Sequence, residues 1–137
     1  MKRPILFVAL AGLAAVSACA DDATEWQVTV VVNDTSLTSG SAQSTEVLVS
    51  VQDQDRNPVP QGTPIRLQCV DTTSGALTGS VGTEQPGLGQ TTTDTVGIAT
   101  FDFRCGQDAT LDAQIVCRAV YEGITGNSPV ITCAPAQ

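Results

Sequence analysis

Histidine is absent from the 137 residues, lysine occurs once, and the aromatic complement is one Trp, one Tyr and three Phe. Each shortage closes a class of function. Ser-His-Asp and Cys-His nucleophile systems both use imidazole as their base, so neither can be assembled. Zinc fingers and ribbons are excluded with them: the five cysteines include no CxxC pair, and the spacings of 36, 12 and 16 from Cys69 through Cys105 and Cys117 to Cys133 match no such site. A sugar site needs an aromatic platform, whereas Phe101 and Phe103 fall on a core face and Phe7 lies near the N-terminus. Paired-carboxylate hydrolysis needs only two acids, but no motif orients a pair. The chain is therefore expected to be no enzyme and to hold no cofactor or metal. Fourteen acidic residues against six basic ones give a net charge of −8, which disfavours nucleic acid and anionic membrane surfaces.

The stretch Asp53, Asp55, Asn57 spells D-x-D-x-N, which opens a calcium loop in some proteins. Pro58 and Pro64 stand where such a loop needs glycine and glutamate, so the stretch reads as a turn.

What is present begins with an address. Lys2 and Arg3 precede an apolar run from Ile5 to Ala15, and Val16-Ser17-Ala18 supplies small residues before Cys19. Residues 1–18 read as a secretory signal peptide, too short to span a bilayer. The tetrad Val16-Ser17-Ala18-Cys19 resembles the lipobox of bacterial lipoproteins. That resemblance implies cleavage before Cys19 and a diacylglyceryl thioether on its sulfur, making the membrane a partner through lipid. Plain secretion, with cleavage near Ala18 or Ala20, is the alternative. Residues 19–26 form the lipidated cysteine and an acidic tether, in which seven extended residues reach at most about 25 Å. Ala20, in place of an aspartate, favours the outer membrane of the cell envelope by the same resemblance. With Cys19 lipidated, the other four cysteines form an even set in an oxidising compartment, which suggests two disulfides.

Residues 27–137 alternate apolar and polar side chains in short runs, the pattern of half-buried strands. Val28, Val30 and Val32 begin it; Val47, Val49 and Val51 continue; Ile65, Leu67 and Cys69 follow the Asp53–Pro60 corner. Thr93 to Gly97 is a turn with Gly97 free to take a positive φ. Ala99, Phe101, Phe103 and Cys105 share one face, as do Leu111, Ala113, Ile115, Cys117, Ala119 and Tyr121, and Val130 to Cys133 is a last strand. Between strands, 33–44 and 123–127 read as loops, and 71–91 as a long glycine-rich loop with Leu77 and Val81 as anchors for short edge strands. No helical period appears outside the leader. About seven short strands separated by turn chemistry predict an all-β antiparallel sandwich.

The segments DQDRNPVPQGTPIRL, TTTDTVGIATFDF and AQIVCRAVY resemble the bacterial Ig-like domain of group 1, the invasin and intimin type, over about residues 28 to 133. Arg56 stands where that family usually has glycine, and the four cysteines are foreign to most members. The resemblance implies an Ig-like sandwich that mediates adhesion or protein–protein contact. In that topology the expected disulfides are Cys69–Cys105, between the ends of two strands on opposite sheets, and Cys117–Cys133, across a hairpin centred near Thr125. This is one of three possible connectivities.

Two function classes follow. One is an envelope lipoprotein whose single domain contacts a protein or surface glycan through the 71–91 loop, with Asp71, Thr72, Thr73, Glu84 and Gln85 as candidate binding residues. The other is a periplasm-facing structural or accessory subunit of an envelope assembly. Deleting a mobile 71–91 loop would be expected to spare thermal stability.

Overall fold

Alternating valines build the first strands, because a branched Cβ packs well on a pleated surface whose other face is wet. In the computed structural model, which describes residues 24–82, 85–106 and 112–135, those residues form nine strands and no helix. They are β1 (Trp26–Val32), β2 (Ser36–Thr38), β3 (Thr45–Asp53), β4 (Pro64–Asp71), β5 (Leu88–Thr92), β6 (Ile98–Phe103), β7 (Ala113–Tyr121), β8 (Ile124–Asn127) and β9 (Ile131–Ala134). A three-stranded sheet, β1-β3-β6, packs on a six-stranded one ordered β2-β9-β7-β4-β5, with β8 also paired to β7. The all-β sandwich is as expected. Cys19, Glu84 and Leu111 lie outside the described residues.

The inward faces are those the alternation marks. Val47, Val49, Val51, Leu67, Cys69, Ala99, Phe103, Cys117, Ala119 and Ile131 are all completely buried. At about 25 cal/mol per Å² of apolar surface, this shared core dominates the stability of the domain. Trp26, assigned by the sequence to the end of the tether, instead opens β1 and meets the Tyr121 ring edge-on, with centroids 5.2 Å apart.

The two motif corners hold one another. The buried Thr93 hydroxyl donates to the Pro60 carbonyl at 2.9 Å and accepts the Thr63 N–H at 3.1 Å. The Val51 N–H donates to the Gly97 carbonyl, and Val59, between the two prolines, is buried and donates back to Val51. The 33–44 segment is partly strand: β2 leaves the sheet of β1 and pairs in parallel with β9 in the other sheet.

The disulfides correct the expected pairing. They are Cys69–Cys117, within the six-stranded sheet, and Cys105–Cys133, between the end of β6 and β9 across the two sheets. Cys69–Cys105 and Cys117–Cys133 do not form. Strand register is the cause. The turn after β7 is only Glu122-Gly123, both at positive φ, so β8 begins at Ile124 and Asn127 lies opposite Arg118. Cys133 then falls opposite Ala113, and Ser128 takes up the edge of Cys117, accepting its N–H at 2.9 Å. Cys69 and Cys117 face one another directly in the β4–β7 ladder. Their own backbone groups bond outward, to Gly87, Thr78 and Ser128. They thus form a non-hydrogen-bonded pair, where antiparallel strands approach most closely, and their Cα atoms are 4.0 Å apart.

Candidate functional site

Three aspartates account for the corners before any ligand is considered. Asp53 Oδ1 accepts the N–H groups of Asp55 and Asn57, each at 2.8 Å, and Oδ2 accepts the Asn57 amide. Asp94 Oδ1 accepts the N–H groups of Val96 and Ile98 in the same pattern. Asp71 Oδ1 accepts those of Thr73 and Ser74. Side-chain carboxylates that bond the backbone two residues on are turn formers, which is how the sequence reads D-x-D-x-N. The Asn57 N–H holds the Asp53 carboxyl below its ordinary value of 3.8, with the Asn57 amide and the Asp55 N–H adding and desolvation opposing. Among the described residues no group of three potential ligands could hold a metal ion.

The candidate loop is not one site. Asp71 is spent on its own turn, the Thr72 N–H donates to the Gln114 carbonyl on β7, and Thr73 is exposed at the tip. Gln85 lies elsewhere, beside β4 and β5. The segment is also built into the core. Val81 is buried, and Ser80 exchanges two backbone hydrogen bonds with Arg104, both 2.9 Å, extending the edge of β6. Leu77 bridges to Val70. Gly89 shows why glycine is needed here, since a Cβ on it would come within 2.7 Å of the Val81 carbonyl oxygen. Glycine in this stretch permits close approach of backbones, the opposite of mobility, and deletion of the loop would open the core.

What the strand order does bring together is on the outer face of the six-stranded sheet. Gln90, Arg66 and Val120 stand side by side across β5, β4 and β7, and Leu88, Gln68 and Arg118 form the next row. Arg66, Gln68, Gln90 and Arg118 are all exposed. The Arg118 Nε–H donates to the Asn127 side-chain oxygen at 3.3 Å, which fixes the guanidinium along the sheet. Neither arginine forms an ion pair among the described residues. Two shallow hollows, about 410 and about 360 Å³, flank this row and share Arg66, Gln68 and Gln90. The other sheet differs in sign: Glu46 and Asp102 lie directly opposite one another on β3 and β6. Alternation alone places Arg66 and Gln68 outward; that β4 lies beside β7, which sets Arg118 next to them, depends on long-range pairing that no local pattern reveals.

No family model matches the chain, and no curated protein matches it. Among solved structures it is similar to the human F-spondin reeler domain, with a TM-score of 0.46 and 10% identity over 80% of this chain and 88% of that one. It is also similar to the Reelin-N domain of F-spondin, with a TM-score of 0.44 and 12% identity over 80% of this chain and 86% of that one. The resemblance to the group 1 bacterial Ig-like family is thereby corrected: no family model, that one included, matches the chain. The aspartate-capped turns supply the physical reason. The shared motifs sit at the corners begun by Asp53 and Asp94, where one local hydrogen-bond solution imposes similar residues on a sandwich of any ancestry.

Proposed function

We propose that the chain is a lipid-anchored lipoprotein of a bacterial envelope whose single sandwich works by contact with another protein and performs no reaction. The observation that carries this reading is how little chain separates Cys19 from the first strand, which begins at Trp26. Residues 20–26 span at most about 25 Å, so a domain held by lipid on Cys19 meets what lies at the membrane surface. That reach favours a periplasm-facing subunit of an envelope assembly over a projecting adhesin. Ala20 in place of aspartate favours the outer membrane. The strand order β1-β3-β6 over β9-β7-β4-β5 supports an Ig-like description of the sandwich, in the broad sense of Greek-key sheets sharing one core. The lack of histidine, and the commitment of Asp53, Asp71 and Asp94 to backbone N–H groups, support a non-catalytic role.

Metabolic labelling with an alkyne fatty acid tests the anchor. The wild-type chain is expected to take up label and fractionate with membranes, and Cys19→Ser to lose both properties. An unlabelled wild type, or a Cys19→Ser variant that still carries label, would contradict the proposal.

A further inference from the structure

We infer that the outer face of the six-stranded sheet is the contact surface, and that its partner is an extended acidic peptide segment with carboxylates two residues apart. This rests on the reading of the domain as a protein-contact module. Charge is the first support. In a chain of net charge −8, every outward strand position of this sheet lacks a carboxylate, yet Arg66 and Arg118 stand there with no ion pair among the described residues. An acidic protein that collects unpaired cations on one face presents a locally attractive field to a negative segment.

Geometry narrows the ligand. Gln68 is directly opposite Arg118, and Arg66 is directly opposite Val120, so the two arginines lie diagonally on adjacent strands. Diagonal neighbours on one face are about 7–8 Å apart. Alternate side chains of an extended peptide repeat at about 6.6–6.8 Å, close to that separation. Each guanidinium offers a planar fork that matches one carboxylate with two hydrogen bonds. Gln68 adjoins both arginines and Gln90 lies on the far side of Arg66, so each supplies an amide for a peptide backbone, and the flanking hollows give a narrow strand somewhere to lie. A neutral sugar would need an aromatic ring to stack on, and none of the residues bordering these hollows is aromatic.

The test uses the purified protein in non-ionic detergent and a fluorescein-labelled peptide of four Glu-Thr repeats, read by anisotropy at about 0.1 M salt, where the Debye length is about 10 Å. Binding is expected to weaken about tenfold in Arg66→Ala/Arg118→Ala, in line with the loss of two exposed charge-assisted contacts. Arg56→Ala/Arg104→Ala removes the same net charge elsewhere and is expected to change binding less than about twofold, because exposed charges beyond a Debye length are screened. Melting curves of both variants should overlay the wild type, since surface substitutions change stability little. Equal losses in the two double variants would reduce the effect to net charge and overturn the assignment, as would equal binding of a Gln-Thr repeat peptide. Arginine-dependent binding of polygalacturonate without binding of the peptide would also overturn it, making the partner an acidic glycan. None of these failures touches the contact reading itself, which falls only if the anchored domain contacts no partner from either face.

Discussion

Arg56 and Gly97 occupy the same place in two copies of one turn. Each is the third residue after a capping aspartate, each donates its N–H to that aspartate's carbonyl, and each has a positive φ, 67° and 76°. Each turn is a three-residue loop closing on a left-handed residue, the common three-residue hairpin connection. In the first copy an L side chain bears the unfavourable conformation. In the second, glycine bears it and also admits Pro58, whose Cβ would lie 2.6 Å from a Cβ placed on Gly97.

Opposite substitutions should therefore have opposite effects. Arg56→Gly relieves left-handed strain of about 1–2 kcal/mol and gives back about half of it as unfolded-chain entropy, so stability should rise by up to about 1 kcal/mol. Gly97→Ala adds the strain and drives a methyl into Pro58, and should cost about 2 kcal/mol or more. Urea midpoints at constant m-value measure both. A neutral Gly97→Ala would show that this corner yields more readily than its contacts imply.

Val81 ties the 71–91 segment to the core. Val81→Ala is expected to cost about 2 kcal/mol and to lower the melting temperature, the usual effect of deleting buried methyl groups. Thr73→Ala, at the exposed tip of the same segment, should be nearly silent. A silent Val81→Ala, read by calorimetry, would restore the picture of a loop lying free of the sandwich.

Cleavage before aspartate, without reduction, separates the observed pairing from Cys69–Cys105 with Cys117–Cys133. Fragments 55–70 and 102–107 should both be found attached to the fragment beginning at Asp112, through Cys69–Cys117 and Cys105–Cys133. A 55–70 fragment linked to 102–107 would mean that Cys69 pairs with Cys105. By loop-closure entropy each bridge contributes about 3–4 kcal/mol, so replacing either pair with alanine should lower the melting temperature by more than about 10 °C.

The acid limb of stability should report Asp53. Its folded pKa lies below the ordinary 3.8, chiefly because it accepts the Asn57 N–H. A depressed carboxylate contributes stability that is present above its unfolded value and is lost as pH falls through the folded one. Asp53→Asn keeps the side-chain oxygen but not the charge, so its urea midpoint should fall less steeply than the wild type between about pH 4 and pH 2. Parallel curves for the two proteins would show that Asp53 is not linked to folding.

Local chemistry was legible in the chain and pairing was not. The alternation of Val47, Val49 and Val51 with polar neighbours marks the buried face directly, and Asp94 to Gly97 reads as a turn because an aspartate can cap the N–H groups that follow it and Gly97 can take a positive φ. The cysteine pairs depended on register, where the turn signals mislead. Residues 123–127, with glycine at 123 and 126, read as the hairpin loop, yet Gly126 lies within β8. It is glycine because a Cβ there would meet the Val28 carbonyl oxygen at 2.5 Å, a contact from the facing sheet. The true turn, Glu122-Gly123, is a weaker signal. Arg66 and Arg118 were hidden for a similar reason: they become neighbours only once β4 lies beside β7.

Photo-crosslinking in living cells tests the central claim of a membrane-held contact domain most directly. A benzoylphenylalanine would replace Gln68 on the outer face of the six-stranded sheet or Ser50 on that of the other sheet, each with and without Cys19. The account predicts a discrete adduct from position 68 that disappears in the Cys19→Ser background. An adduct from position 50 alone would keep the contact role and move it to the acidic face. No adduct from either face, with the chain present in the membrane, would contradict the account.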